Sequence, residues 1–249
     1  MQKTTSTMIA KTGTLCYFKR EYNMEVPYML DIFDILGPVM VGPSSSHTAG
    51  AVRIGRMARV LLGEEPIKAE IGLYGSFAET GQGHGTNRAL IAGLLGLQPD
   101  DMDVPNSFAL AANQGLDFSF YTARLREAHP NTAVLDVTGV TGKKLTLQAA
   151  SIGGGRIRVE QLNGVEVNFT GNFNTLIIRH WDVAGEVANV TRELAAAQVN
   201  IANMSVCRSK RGGEALMVIE TDHKIPVEVR SSIADLKNIR RVTYYEKEE

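Results

Sequence analysis

The final part of the chain, residues 172–249, carries the pattern that constrains the fold most. Apolar stretches typical of strands alternate there with helical periods, in the order strand, helix, strand, strand, helix, strand. The two middle strands flank Arg211-Gly212-Gly213, a sequence typical of a hairpin turn. This order of elements is that of the ferredoxin-like βαββαβ fold. We therefore predict a separate ferredoxin-like domain over residues 172–249.

The preceding region, residues 29–171, mixes helical and strand patterns. Apolar residues recur every three or four positions over 51–62, and Gly63 follows as a C-terminal cap. Residues 68–74 alternate like a strand, and residues 132–170 read as strand after strand, separated by Gly or Asn-Gly. The overall fold class predicted is therefore α+β, with an antiparallel sheet in this N-terminal domain.

The first 28 residues have no period and no apolar stretch long enough for a secretory signal. Their lysines and threonines would suit a transit peptide, but Glu21 and Glu25 and the lack of a sustained amphipathic helix disfavour it. We interpret residues 1–28 as a disordered or artefactual extension, with natural initiation at Met24 or Met29. A short helix or turn is predicted just after it, at residues 31–36.

Composition narrows the classes of function. The formal net charge is −1 and no basic face is concentrated enough for nucleic acid. No apolar run approaches the length of a membrane span, so we expect a soluble, cytoplasmic protein. The two cysteines, Cys16 and Cys207, lie far apart and outside any C-x-x-C pair. They suggest neither a disulfide framework nor the ligand set of an iron–sulfur cluster.

Residues 42–50, GPSSSHTAG, place four hydroxyl groups and one imidazole directly before the helix predicted over 51–62. The free amides of a first helical turn favour an anion, so this segment suits a carboxylate or a phosphate. The plainer alternative is that one serine caps the helix and the others are incidental. The polar residues of this cluster are Ser44, Ser45, Ser46, His47 and Thr48.

Residues 81–89, GQGHGTNRA, repeat the arrangement of glycine, histidine, threonine and helix. Gly83 and Gly85 flank His84 and permit close approach of the backbone to a ligand, and Thr86 follows. If the two clusters converge, they supply two imidazoles that titrate near neutral pH and suit proton transfer or substrate orientation. The alternative is a solvated loop histidine. Gly153-Gly154-Gly155 lies between strands, so we interpret it as a flexible turn and not a dinucleotide site.

The two segments GPSSSHTAGAVRIGRMAR and GSFAETGQGHGTNRALIAGLLG closely resemble the β chains of bacterial iron–sulfur L-serine dehydratases. The resemblance extends through HPNTAVLDVTG and ASIGGGRIRVEQLNG into the C-terminal unit, which is similar to an ACT domain. It covers residues 30–249. Asn87 departs from the pattern, since the family often carries an acidic residue there.

This resemblance implies a lyase that converts L-serine to pyruvate and ammonia with a [4Fe-4S] cluster. It also implies that the cluster's cysteines lie on an α chain or domain and that this chain holds no metal. His47 and His84 become candidates for catalytic proton transfer or orientation, and the base could equally come from the α chain. The residues expected to bind substrate are Ser44, Ser45, Ser46, Thr48, Gly83, Gly85 and Thr86.

The ACT resemblance implies side-by-side pairing of two β chains, with an effector near the first strand–helix turn. Asp182 and Gly185 belong to that turn, and Asn200 is expected close to it. A free amino acid and a monovalent cation are both candidate effectors. The alternative is an ACT domain that only dimerises the β chains.

A rival hypothesis belongs to another class of protein. The same pair of domains resembles the allosteric substrate-binding and ACT region of some phosphoglycerate dehydrogenases, which would make this chain a non-catalytic module that senses serine or an anion. A third reading, an amino-acid-responsive regulator, lacks a helix-turn-helix pattern and a basic face. A neighbouring reading frame with cluster-spaced cysteines would favour the lyase.

Overall fold

The protein is described by a computed structural model over residues 39–81, 83–208 and 210–247. The extension predicted for residues 1–28, the alternative starts at Met24 and Met29, and the short helix predicted at 31–36 lie outside these described residues. Within them, no helix has the length and the apolar character needed to cross a membrane.

The N-terminal part contains helices and a sheet in the order expected for an α+β protein. Its helical elements are a π-helical turn at Ser45–Ala49, α1 at Gly50–Leu62, α2 at Ser76–Thr80, α3 at Thr86–Leu95, a 3-10 turn at Val104–Asn106 and α4 at Ser107–Gln114. Its strands are β1 at Pro66–Tyr74, β2 at Asp117–Thr122, β3 at Thr132–Gly139, β4 at Lys144–Gly153, β5 at Arg156–Leu162 and β6 at Val165–Phe169.

These strands form one sheet in the order β2-β1-β3-β4-β5-β6. The α+β class is confirmed, and the pairs from β1–β3 to β5–β6 are antiparallel as predicted. The difference is β2, which the sequence pattern did not predict and which runs parallel to β1. A parallel neighbour requires a crossover connection, and α2, α3 and α4 supply it between the two strands. The sheet is therefore mixed.

Helix α1 packs against α3 and against the face of the sheet formed by β3, β4 and β5. Gly55 and Gly93 lie where the two helices cross, and a Cβ at either position would overlap backbone atoms of the other helix, namely the carbonyl oxygens of Leu90 and Val52. The helices therefore approach more closely than ordinary side chains allow. This contact fixes α1 and α3, the two helices that follow the predicted site clusters.

The C-terminal part has the predicted ferredoxin-like order. Its elements are β7 at Asn174–Trp181, α5 at Glu186–Ala196, β8 at Ile201–Arg208, β9 at Glu214–Thr221, α6 at Val227–Ala234 and β10 at Ile239–Tyr245. The strands form an antiparallel sheet in the order β10-β7-β9-β8. The domain limits of 29–171 and 172–249 remain predictions, and the first sheet ends at Phe169 while the second begins at Asn174.

The central strands of the second sheet are buried on both faces. Leu176 and Ile178 of β7 pack under α5 and α6, whereas Ile177 faces the other way and joins the core of the N-terminal part. This burial explains why the sequence shows continuous apolar runs in β7 and β9 where a half-exposed strand would alternate.

Replacing Gly93 by Ala tests the close contact between α1 and α3. The new Cβ would overlap the Val52 carbonyl and lie 2.7 Å from the Arg56 amide nitrogen, so the helices must separate. We expect the free energy of unfolding to fall by about 1–3 kcal/mol, measured by urea denaturation. Ala112→Ser, which adds one atom at an exposed position of α4, is the control. A Gly93→Ala variant as stable as this control would contradict the packing.

Candidate active site

The serine cluster forms a wide π-helical turn that leads into α1. Ser44 is extended, with φ −145° and ψ 124°, and its hydroxyl oxygen accepts a hydrogen bond from the His47 amide at 3.1 Å. The Gly50 amide donates to the Ser45 carbonyl and closes the turn. Ser44 thus caps the helix, as the simpler of the two hypotheses predicted for one serine. The hydroxyl groups of Ser45, Ser46 and Thr48 are not needed for capping. Turns of this π-helical kind are rare in proteins, and those that occur are often found at functional sites.

Glycine is required where the turn meets β4. A Cβ at Gly50 would overlap the side chain of Ser151, whose own Cβ would be 2.8 Å away. The hydroxyl of Ser151 is buried and has no hydrogen-bond partner among the described residues. Because an unpaired buried hydroxyl costs about 1–3 kcal/mol, a group that accepts or donates a hydrogen bond there would be favoured.

His47 is nearly buried, with 9% of its surface exposed. Its Nδ1 atom lies 3.2 Å from Ser46 Oγ and 3.4 Å from Ser44 Oγ, and its Nε2 atom lies 3.1 Å from Ser76 Oγ. Burial, followed by the electrostatic interaction with His84, lowers the pKa of His47 below its ordinary value. The imidazole is therefore neutral at neutral pH, and both of its nitrogens contact serine hydroxyls.

The structure brings His84 to His47. The two ring centroids are 5.0 Å apart with an interplanar angle of 86°, and Phe77 contacts His47 at 5.4 Å. His84 is exposed, and its amide donates to the Thr80 carbonyl at 3.0 Å. Gly85 adopts a left-handed conformation, with φ 75°, that starts α3. The two predicted clusters thus converge, with one imidazole held inside and the other facing solvent.

Two threonines complete the site. Thr48 and Thr86 are buried, and neither hydroxyl has a partner among the described residues. The turn that carries Thr48 contacts both α3, which begins at Thr86, and β4, which carries Ser151. Three unpaired hydroxyls around one turn indicate a place for a small polar ligand. Gly83 is exposed, and its predicted role in binding substrate stays a prediction.

Two contributors were missed from the sequence. Ser76, which follows β1, holds His47 Nε2, and Ser151 lies against the start of α1. Ser76 could have been suspected because small polar residues at strand ends often bind ligands. Ser151 lies inside β4 and its sequence carries no comparable signal.

The described residues offer no metal centre of their own: none of their His, Cys, Asp and Glu side chains assemble in groups of three or more. Cys207 is a partly exposed free thiol on β8, and Cys16 lies outside the described residues. The imidazoles and hydroxyls of the site do not match the thiolate ligands of an iron–sulfur cluster.

The residues predicted to bind an effector are divided between two ends of the second sheet. Asp182 accepts hydrogen bonds from the Gly212 amide at 2.9 Å and Arg208 at 2.7 Å, and both lower its pKa. Gly185, with φ 97°, starts α5 nearby. Asn200 instead donates to Asp222 at 2.6 Å. Within one chain the expectation that Asn200 lies close to the turn is wrong, because α5 returns the chain to the opposite end of the sheet.

The chain combines a two-histidine site with a ferredoxin-like domain, and comparison with known proteins identifies the family. The profile described as "Serine dehydratase beta chain" matches residues 29–117, and the ACT domain profile matches residues 174–238. The "Probable L-serine dehydratase, beta chain" of Bacillus subtilis is 43% identical over 85% of this chain and 96% of its own length.

Two further relatives are informative. The "L-serine dehydratase, beta chain" of Peptoniphilus asaccharolyticus is 34% identical over 86% of this chain and 97% of its own length. The D-3-phosphoglycerate dehydrogenase of Bacillus subtilis is 27% identical over 61% of this chain but only 29% of its own length. The chain belongs to the family of serine dehydratase β chains, and the resemblance inferred from its two His-Thr clusters is confirmed.

The environment of His47 predicts a pH dependence of stability. Since its pKa is lower in the folded chain than the ordinary 6.5, the unfolded chain takes up a proton more readily, and stability is lost as pH falls through about 6.5. We expect the melting temperature to drop less between about pH 7.5 and pH 5.5 in His47→Gln than in the natural sequence. His223→Gln, in the second domain, is the control. Equal drops in all three proteins would refute the assignment.

Proposed function

We propose that this chain is the β subunit of a two-chain L-serine ammonia-lyase, which converts L-serine to pyruvate and ammonia. Membership of the serine dehydratase β-chain family supports this function. The single observation that carries the site is the pair of imidazoles, 5.0 Å apart, beside a turn with unpaired buried hydroxyls. We expect the enzyme in the cytoplasm, as predicted from the sequence.

The substrate carboxylate is proposed to bind at the turn before α1. The amides that open the turn, those of Ser45 and Ser46, lie at the positive end of the helix, where a carboxylate is stabilised. Ser45, Thr48 and Thr86 supply hydroxyl groups, since Ser44 is already used as the cap. The unpaired hydroxyl of Ser151 gives a further donor for the amino acid.

The two histidines are proposed to have different tasks. His47 is neutral, buried and fixed by serines at both nitrogens, which suits a residue that orients its neighbours. His84 is exposed and stands edge-on to His47, so it can reach a substrate and exchange a proton with it. We assign the removal of the α-proton to His84. Loss of the substrate hydroxyl then leaves an aminoacrylate, whose tautomer hydrolyses to pyruvate and ammonia.

The [4Fe-4S] cluster is proposed to come from the α chain. The imidazoles and hydroxyls of the described site differ from the thiolates that such a cluster needs, which supports a source on another chain. Held by the α chain, such a cluster would supply a Lewis-acidic iron for the substrate hydroxyl. This chain supplies the carboxylate site, the proton-transfer group and the walls that hold the amino acid.

Replacing His84 by Ala tests the proton-transfer assignment. In the cluster-loaded complex with the α chain, we expect kcat/KM for serine to fall by about 100-fold or more, because general acid–base groups typically contribute that much. Pyruvate formation under anaerobic conditions is the measurement. His223→Ala, the same change far from the site, should stay within about twofold of the natural complex.

Two results would count against this proposal. Unchanged kcat/KM in His84→Ala would remove His84 from the mechanism. Absence of serine-dependent pyruvate in the loaded natural complex, together with serine binding to this chain alone, would instead favour the non-catalytic module similar to that of phosphoglycerate dehydrogenases.

Two copies of this chain are proposed to dimerise through β8, the edge strand of the second sheet. β8 is an edge strand, and Met204 and Val206 on it are 38% and 43% exposed. An unpaired apolar edge favours pairing with another strand. If two β8 strands pair in antiparallel fashion, the Asp182 end of one copy meets the Asn200 end of the other. An effector site for a free amino acid or a monovalent cation would then form between copies.

A charge on this edge tests the pairing. Val206→Asp places a carboxylate at the centre of the proposed interface, so we expect the β chain to shift from dimer to monomer in sedimentation velocity. Val227→Asp is the control, because Val227 is also exposed but lies on α6. The same dimer in both variants would rule out an interface at β8.

A further inference from the structure

A cluster of positive side chains lies between the two sheets, at the end of α1 that is far from the histidines. They surround a cavity of about 30 Å³. Lys143 lies in the turn before β4 and Lys144 begins that strand, whereas Arg179 lies on β7 and Arg241 on β10. The other lining residues are neutral, and no carboxylate is among them.

The charges at this junction are not balanced by protein groups. Arg179 and Arg241 are direct cross-strand neighbours, an arrangement in which like charges repel. Arg179 has Glu214 at 3.9 Å, and Glu214 is shared with Arg240 at 3.8 Å. Among the described carboxylates, none lies within ion-pairing distance of Lys143 or Arg241. These two cations therefore have no direct ion pair, and the charge of Glu64 reaches them only from a longer distance.

Glu64 is a carboxylate that attracts both Lys143 and Arg241 and is also hydrogen-bonded to Thr141. Its carboxylate accepts hydrogen bonds from the Thr141 amide at 3.1 Å and from the Thr141 hydroxyl at 2.7 Å, and Glu64 does not line the cavity. Glu65 pairs with Arg59 at 3.6 Å. Glu64 therefore offsets part of the charge of Lys143 and Arg241, but a single carboxylate cannot balance both cations.

The pKa values of Lys143 and Arg241 reflect their partial burial and the repulsion between neighbouring cations. Burial, followed by the charge of Arg241, lowers the pKa of Lys143. Burial, followed by the charge of Arg179, lowers the pKa of Arg241. Arg241 donates from one nitrogen to the carbonyls of Leu61 and Leu62, at 3.5 and 3.4 Å, and its other nitrogens have no acceptor in the described chain. An anion would relieve the repulsion and accept these donors.

We propose that this junction, which we call the junction site, binds one small oxyanion through Lys143 and Arg241, with Arg179 beside them. The cavity exceeds the roughly 10–15 Å³ that one water needs, so it admits a single carboxylate or phosphate group but not an extended ligand. The bound group would join a strand of each sheet to the C-terminal end of α1. The junction site is independent of the function proposed above.

Binding of inorganic phosphate to the full chain tests the junction site. With ionic strength held constant, the melting temperature should rise with phosphate concentration and then saturate. Acetate, in a parallel series, reports whether a carboxylate is accepted as well as a phosphate. We expect Lys143→Gln and Arg241→Gln each to weaken the apparent phosphate affinity by about tenfold, since each removes one charge-assisted contact.

Arg240→Gln is the matched control. Arg240 lies next to Arg241 on β10, but its guanidinium faces away and sits 5.3 Å from the ring centroid of Trp181. The control should keep the natural affinity. Isothermal titration of the natural chain with phosphate gives a second measurement that needs no variant. No saturable effect of phosphate or acetate, or equal affinities in Lys143→Gln and the control, would overturn the proposal.

Discussion

The architecture depends on the close packing of α1 against α3, against the first sheet and against β10 of the second sheet. Gly50 lets the helix start against Ser151 of β4, and Gly55 lets it cross α3 backbone to backbone. At its other end, the carbonyl oxygens of Leu61 and Leu62 accept hydrogen bonds from Arg241 of the second sheet. One helix thus positions the serine turn, brings the second histidine cluster alongside it and joins the two sheets.

The sequence predicted those elements whose signal is local. The period of α1, the order of the second sheet's elements and the hairpins of β3 to β6 follow from residue spacing and turn residues, and the structure confirms them. The sequence did not predict β2. A half-exposed edge strand has a weak hydrophobic pattern, and three helices separate β2 in the chain from β1, its parallel partner. The position of Asn200 could have been predicted, since the helix of a strand–helix–strand unit runs back along the sheet and the next strand begins at the other end.

The site shows the same division. His47 and His84 could be named from their motifs, but their 5.0 Å contact arises from the packing of α1 on α3, which no spacing encodes. Ser76 and Ser151 reach the site as single hydroxyls from strand ends and strand interiors, without any motif. A sequence motif can therefore identify the candidate histidines. The serines that contact the histidine and the turn are found only from the three-dimensional structure.

The second sheet is covered on one face by its own helices and on the other by the N-terminal part. A regulatory domain joined by a flexible linker could be removed or exchanged with little effect on its host. Here removal would take away Ile177, Leu216 and Val218 and leave the core of the N-terminal part exposed where they complete it. The two parts should therefore unfold as one cooperative unit, and any replacement for the ACT domain would have to match this apolar face before it could regulate anything.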